Sequence, residues 1–120
     1  MYTNDKFSDD EISEIIRSMP AIPEAIVCEN DDVALKCVRA LKKIGLVVPM
    51  DVAVTGFDNE EILTQAEPRL TTVSIGNHQL GIRVVKQLIW RMENPDFPKE
   101  TISIETKPLF RKSSQKLISR

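Results

Sequence analysis

Apolar side chains recur at helical spacing in several stretches of the chain, and short apolar runs lie between those stretches. The spacing i, i+3, i+4 and i+7 places the apolar residues on one face of a helix. It predicts helices over 9–18, 31–44 and 77–92, and we expect a further short helix over 60–65. Ser8 is the expected N-cap of the first helix and Asn77 that of the last, because short polar side chains satisfy free N–H groups there.

The apolar runs between the helices predict strands over 25–28, 52–55, 70–75 and 101–106. The first run, Ala-Ile-Val-Cys, has no polar position, which is typical of a strand buried on both faces of a parallel sheet. The last run alternates polar and apolar residues, as a half-exposed strand does. Helices and strands alternate along the chain. This order favours the α/β class, with a mostly parallel sheet flanked by helices.

Length and charge restrict the function classes. A chain of 120 residues is the size of one ordinary domain. Its net charge of −2 and pI near 5.4 argue against unaided binding to nucleic acid, which requires a clustered basic surface. The basic residues near the end of the chain are few and spread out, so we expect a solvated tail over 111–120.

The two cysteines, Cys28 and Cys37, have neither metal-ligand nor redox-motif spacing, and we expect both to be small buried hydrophobic residues. We expect no metal and no cofactor. Reduced cysteines are typical of the cytoplasm. No apolar run approaches the roughly 20 residues of a membrane span, and the polar first residues do not resemble a secretory signal. The sequence therefore predicts a soluble, cytoplasmic protein with no membrane partner.

Polar side chains follow two of the predicted strands. Asn30 comes after the first strand, and Phe57 and Asp58 follow the second. Ligands of open α/β sheets bind beyond the carboxyl ends of parallel strands, so we expect Asn30 and Asp58 to face one cleft. Each residue also has a structural alternative. Asn30 can cap the second helix, Asp58 can form an Asx-turn, and Phe57 can pack at the end of the sheet.

Several short motifs occur in a fixed order along the chain. They are P-x-A-I, N-D, G-F-D, P-x-L-T-T-V and E-N-P, read at Pro23, Asn30, Asp31, Gly56, Phe57, Asp58, Pro68, 70–73 and 93–95. In this order and spacing the chain resembles the C-terminal part of the effector-binding region of the LacI/GalR family of bacterial transcriptional regulators. The resemblance covers about 23–111.

The resemblance implies a periplasmic-binding-protein-like fold, in which two α/β subdomains close around a small molecule. On this interpretation the chain is one partial effector-binding domain. Residues 8–70 would form the core of the C-terminal subdomain, 71–76 a hinge crossover, and 77–107 a segment that packs on the N-terminal subdomain. Neither that subdomain nor a helix-turn-helix fits upstream of Asp9, so DNA would be contacted only through a head absent from this chain.

The resemblance also implies roles for individual residues. Asn30 and Asp58 match a pair that hydrogen-bonds a sugar or another polar effector. Phe7 resembles an aromatic residue that stacks on a sugar face, and Phe57 is a further candidate contact. Homodimerisation is implied, partly through the helix after the N-D motif.

The expected function is therefore sensing of a small-molecule effector, a carbohydrate or a related compound, by a transcriptional regulator. Two alternatives remain. A periplasmic-type sugar-binding protein shares the fold, and Asp58 with Asn30 resembles the general base and orienting amide of an α/β enzyme. The chain has no nucleophile elbow and no phosphate-binding glycine loop, so we expect no enzyme.

Overall fold

The computed structural model describes residues 7–59 and 66–115, which contain both helices and strands. The predicted helix over 60–65 lies outside them. In chain order the elements are α1 (Asp9–Ser18), β1 (Ala25–Val27), α2 (Asp31–Lys43), β2 (Ala53–Thr55), β3 (Thr72–Ser74), α3 (Asn77–Glu93), β4 (Lys107–Leu109) and a 3₁₀ turn (Lys112–Ser114). The α/β class is confirmed.

The first helix begins where its cap predicts. The Ser8 hydroxyl accepts a hydrogen bond from the Glu11 N–H at 3.2 Å, and the Glu11 carboxylate accepts from the Ser8 N–H at 2.7 Å. Helix α1 then packs on the second half of α2, where the Ser13 hydroxyl donates to the carbonyl of Ala40 at 3.3 Å. These contacts orient α1 along α2.

A forked ion pair joins the same two helices. Arg39 donates to both carboxylate oxygens of Asp9, at 2.8 and 3.1 Å, and this hydrogen bonding lowers the pKa of Asp9. A lowered carboxyl pKa stabilises the fold above the unfolded pKa, and the contribution is lost as the pH falls through the lowered value. Both side chains are substantially exposed, so the pair stabilises by at most about 0.5 kcal/mol.

Strands β1 and β2 form a parallel pair, as predicted, with Ile26 opposite Val54. Helix α2 covers one face of this pair, and its buried side chains meet Val54 and Val52. The buried apolar residues of the core are Ile16, Cys28, Ala34, Cys37, Val38, Ala40, Leu41, Val52, Val54 and Leu70. The core therefore lies between α1, α2 and the parallel strands.

The expectation that β1 is buried on both faces is wrong. Ala25 and Val27 are exposed, Val27 by 83%, whereas Ile26 packs against the core. Alternate side chains of a strand point to opposite faces, and α2 covers only the face to which Ile26 points. The second face of β1 is apolar and open to solvent.

The two cysteines lie in the core, as predicted. Cys28 is 8% and Cys37 3% exposed, and both are free thiols. The hydrogen bond to Cys37, together with burial, raises the pKa of the Cys28 thiol. Cys28 is therefore a neutral packing residue at ordinary pH.

Strand β3 follows a single parallel bridge between Thr55 and Thr71 and then pairs antiparallel with β4. The predicted strand over 101–106 is wrong, because the segment that pairs with β3 is Lys107–Leu109 immediately after it. Ile102 and Ile104 are 43% and 39% exposed. The alternating pattern is present, but within the described residues no neighbouring strand lies beside it.

The expectation of a solvated tail is wrong for 111–115. Ser113 is fully buried, and its hydroxyl donates to the carbonyl of Val54 at 2.6 Å and accepts from the Thr71 N–H at 2.8 Å. One small side chain thus satisfies two buried backbone groups. Residues 116–120 lie outside the described residues.

Replacing Ser113 with alanine is expected to destabilise the protein by about 2 kcal/mol, because it leaves a buried carbonyl and a buried N–H without partners. Urea denaturation measures the change. Ser18→Ala is the matched control, since its exposed hydroxyl donates only to the Ile15 carbonyl, at 2.7 Å. We expect a change within about 0.5 kcal/mol for the control. Equal effects from the two variants would contradict this account of Ser113.

Helix α3 buries none of its residues. Its exposed large apolar side chains are Ile82, Val84, Val85, Leu88, Ile89 and Met92. The radius of gyration is 18.7 Å, whereas a compact domain of this length has about 14 Å. The helix therefore projects from the core with its apolar face uncovered. None of the helices in the described residues is long and apolar enough to cross a membrane.

The predicted N-cap of α3 is wrong. Asn77 is the first residue of the helix, and Gly76 is the cap, with φ of 62° and no side-chain hydrogen bond. A left-handed backbone before the helix suits glycine, which has no Cβ to clash.

Candidate functional site

The loops after β1 and β2 meet at one edge of the parallel pair. The N–H of Cys28 donates to the carbonyl of Thr55, and the N–H of Asp31 donates to the carbonyl of Phe57, both at 2.9 Å. These bonds continue the strand pairing beyond β1 and β2. The two polar clusters predicted from the sequence are therefore brought to the same edge.

Gly56 allows this close approach. A Cβ at Gly56 would lie 2.2 Å from Asp31 Oδ1, 3.0 Å from Asp31 Cα and 3.2 Å from Ala34 Cβ. The β2 loop thus passes directly against the first turn of α2, where only a residue without a side chain fits. The glycine of the G-F-D motif is a packing requirement of this edge.

Asn30 is the N-cap of α2. Its Oδ1 accepts a hydrogen bond from the Val33 N–H at 2.9 Å, with the extended backbone that a cap requires. The structural alternative for Asn30 is therefore what the structure shows. The cap does not use the Nδ2 amide group, and the side chain is partly exposed at the strand ends. Asn30 thus caps the helix and still offers donors to a ligand.

Asp58 has a positive φ of 96°, which non-glycine residues rarely adopt, and Asn59 follows with φ of 54°. The Asp58 N–H donates to the carbonyl of Val73 at 3.0 Å, so the loop is tied to β3. The side chain is partly exposed. Its carboxylate therefore lies on a constrained loop at the same edge as Asn30.

The two aromatic candidates differ in their placement. Phe57 lies in the loop after β2, with 36% of its surface exposed. Phe7 precedes Ser8 and is 48% exposed, and the helix that follows it contacts the second half of α2 near Ala40. Among the described residues, no hydrogen bond or ring contact joins Phe7 to Asn30 or Asp58. The structure brings Asn30, Phe57 and Asp58 to one edge, and it places Phe7 directly before α1, which packs on the second half of α2.

Acidic residues dominate this edge. Asp31 is fully buried in the first turn of α2, where an acidic residue is favoured by the positive end of the helix. Asp32 is more exposed and pairs with Lys36 at 3.1 Å. Together with Asp58 they give the edge a concentration of carboxylates. Of these, the Asp58 carboxylate can accept hydrogen bonds from neutral donors such as hydroxyl groups.

Arg111 lies beside the site and has no local sequence signal. Arg111 Nη2 donates to Asn59 Oδ1 at 2.9 Å, across 52 residues of sequence. The Asn59 N–H in turn donates to the Thr72 hydroxyl at 3.2 Å. The sequence predicts a solvated tail at Arg111, and neither periodicity nor a motif indicates this contact.

Cavities elsewhere in the described residues do not involve the candidate residues. One of about 290 Å³ lies beside α3 and is lined by Gln87, Trp90, Arg91, Pro98, Lys99 and Glu100. Another of about 330 Å³ lies near the end of α2, lined by residues that include Val38, Lys42 and Pro68. No group of three metal-ligating side chains occurs in the described part of the chain.

Comparison with known sequences identifies the fold family. Residues 2–114 match the family described as periplasmic binding protein-like domain. The chain is 32% identical over 94 residues to the lactose operon repressor of Rhizobium radiobacter, covering 78% of this chain and 82% of that protein. It spans only 28% to 32% of the length of three further curated relatives, which are HTH-type transcriptional regulators at 29% to 36% identity.

Solved structures agree with the sequence comparison. A transcriptional regulator described as LacI, from Bacillus cereus subsp. cytotoxis NVH 391-98, superposes with a TM-score of 0.81 at 32% identity and covers 91% of this chain and 40% of that one. The transcriptional regulator CelR in complex with cellobiose gives a TM-score of 0.76 at 27% identity, covering 90% of this chain and 34% of that one.

Proposed function

Because this chain belongs to the LacI family of transcriptional regulators, through a periplasmic binding protein-like domain, we propose that it forms part of an effector-sensing domain. In this proposal Asn30 and Asp58 hydrogen-bond polar groups of a small molecule at the strand ends, and Phe57 borders them. Binding shifts the relative pose of two subdomains and thereby changes the affinity of a DNA-binding head for its operator.

The observation that carries the proposal is the junction of the two loops. The Asp31 N–H and the Phe57 carbonyl lie 2.9 Å apart, so the residues on either side of them, Asn30 and Asp58, are held at one edge. Asn30 offers an amide and Asp58 a carboxylate. Together they match the donor and acceptor pattern of neighbouring hydroxyl groups.

A neutral polyhydroxyl compound is the effector class that fits best. The Asp58 carboxylate repels phosphate and carboxylate groups at short range. Hydroxyl groups donate to carboxylates and accept from amides. The relative CelR was solved with cellobiose, which supports a carbohydrate as the first class to examine.

The proposed domain organisation follows the sequence interpretation. In this proposal residues 8–70 form the core of the C-terminal subdomain, 71–76 a hinge crossover, and 77–107 a segment that packs on the N-terminal subdomain. The uncovered apolar face of α3 supports the last assignment, because such a face is normally buried against a partner. We further propose a homodimer that acts in the cytoplasm and contacts DNA through a helix-turn-helix head.

Thermal shifts of the intact protein against a panel of neutral sugars, nucleosides and phosphorylated sugars test the proposal. We expect a concentration-dependent rise in the melting temperature with at least one neutral sugar, since a ligand that binds only the folded state stabilises it. A response confined to phosphorylated compounds would contradict the assigned effector class. A turnover of any panel compound would favour an enzyme instead.

A further inference from the structure

Two segments that are distant in sequence meet next to the Asp58 loop, namely the residues that enter β3 and the residues that follow β4. We call them the crossing segments. Thr71 lies at their meeting point, where its hydroxyl donates to the carbonyl of Arg111 at 3.0 Å and accepts from the Arg111 N–H at 2.8 Å. The hydroxyl groups of Thr71 and Ser114 are 2.7 Å apart. The segment that enters β3 and the segment that follows β4 are therefore joined by several hydrogen bonds at one place.

The Arg111 side chain extends this junction to the candidate site. Its Nη1 donates to the carbonyl of Leu70 at 3.1 Å, and its Nη2 donates to Asn59 Oδ1 at 2.9 Å. One guanidinium group thus binds the start of the crossing segment and the residue next to Asp58. Arginine suits this task because its donors are fixed in one plane.

The backbone of the loop requires such support. Asp58 and Asn59 both have positive φ, at 96° and 54°, and two consecutive non-glycine residues of this kind persist only where surrounding contacts hold them. The described contacts that hold Asn59 are the Arg111 guanidinium on its side chain and the Thr72 hydroxyl on its N–H. Loss of the guanidinium therefore removes the hydrogen bond to the Asn59 side chain and leaves the bond from the Asn59 N–H to Thr72.

We infer that Arg111 is a positioning residue of the effector site, an inference that rests on the proposed function. Arg111 holds Asn59, and through it the carboxylate of Asp58, in the orientation that binds the effector. It does so from the segment after β4, so the loop and both crossing segments move as a unit. An effector that binds the held loop more tightly is thereby coupled to the arrangement of the crossing segments.

Amide hydrogen exchange of the intact protein, followed by NMR without any effector, tests the positioning directly. In Arg111→Ala we expect the Asn59 N–H to exchange roughly tenfold faster, because the loop opens more often. The Cys28 N–H, which donates to the Thr55 carbonyl at 2.9 Å, keeps its protection and reports that the fold is intact. Lys112→Ala is the matched control, since Lys112 is the next residue along the chain and its exposed side chain takes no part in the junction. Unchanged exchange at Asn59 would overturn the inference.

Effector affinity supplies the second measurement. We expect Arg111→Ala and Asn59→Gly each to weaken binding roughly tenfold, and the double variant to be no weaker than either alone, since both remove one contact. Glycine is chosen at 59 because it tolerates the positive φ. Asn59→Asp keeps an oxygen acceptor for Arg111 and is expected to retain affinity. Additive losses in the double variant would show independent roles and would overturn the inference.

The two proposals fail in different ways. If Asp58→Ala binds the effector as well as the unaltered protein, the proposed site is wrong, whatever the exchange of Asn59 shows. If Asp58→Ala loses binding while Arg111→Ala keeps full affinity and full Asn59 protection, the site stands and the positioning role of Arg111 is wrong.

Discussion

Gly56→Ala is expected to destabilise the protein by about 3 kcal/mol. The added Cβ would lie 2.2 Å from Asp31 Oδ1 and 3.0 Å from Asp31 Cα. Asp31 is fully buried in the first turn of α2, so its carboxylate has no open space to move into and a shift of its Cα displaces the helix. Equilibrium unfolding in urea, with the midpoint and slope fitted together, measures the loss.

Gly81→Ala is the control for this prediction. Gly81 lies inside α3, and a Cβ there would meet nothing within 4 Å. Alanine in an open helix interior is expected to stabilise by about 0.5–1 kcal/mol. If Gly81→Ala lowers the free energy of unfolding as much as Gly56→Ala does, the close approach of residue 56 to Asp31 is not the cause of the destabilisation.

Asp58→Ala is expected to weaken effector binding roughly 100-fold, the effect of losing one or two charge-assisted hydrogen bonds at a desolvated site. The stability of the protein without effector is expected to change by no more than about 1 kcal/mol, since the side chain lies outside the core. Isothermal titration with the compound found by thermal shift gives the affinity, and urea unfolding gives the stability.

Asp58→Gly separates the carboxylate from the backbone. Glycine accepts the φ of 96° without strain, so this variant is expected to be at least as stable as the unaltered protein and yet to lose binding as Asp58→Ala does. Retention of affinity in the glycine variant would exclude the Asp58 carboxylate from the site.

Local chemistry explains the parts of the fold that sequence predicts well. The extent of α1 follows from its apolar spacing and the Ser8 cap, and α2 ends at Lys43 before Gly45, which has the positive φ of a helix end. The parallel pairing of β1 and β2 follows from their separation by a helix. The same reasoning predicts that Asn30 and Asp58 lie at one edge of the sheet.

The failures concern contacts between distant segments. The alternating residues 101–106 have the pattern of a strand, but β3 pairs with Lys107–Leu109 instead. Ser113 is a polar residue in a basic segment, and its burial depends on the Val54 carbonyl, 59 residues away. The role of Arg111 depends likewise on Asn59. Composition and periodicity carry no information about such pairings, because they describe each segment alone.

The helix cap at Asn30 has a consequence for how the protein would tell one sugar derivative from another. Since the Val33 N–H already engages Oδ1, the amide presents chiefly its N–H hydrogens, whereas the Asp58 carboxylate presents only lone pairs. An O-methyl group on the oxygen facing Asn30 would thus be accepted, because an ether still receives a hydrogen bond. The same methyl group on the oxygen facing Asp58 would abolish recognition, because that oxygen could no longer donate a hydrogen bond to the carboxylate. Titration with a series of mono-O-methylated analogues would show this difference between the two oxygens.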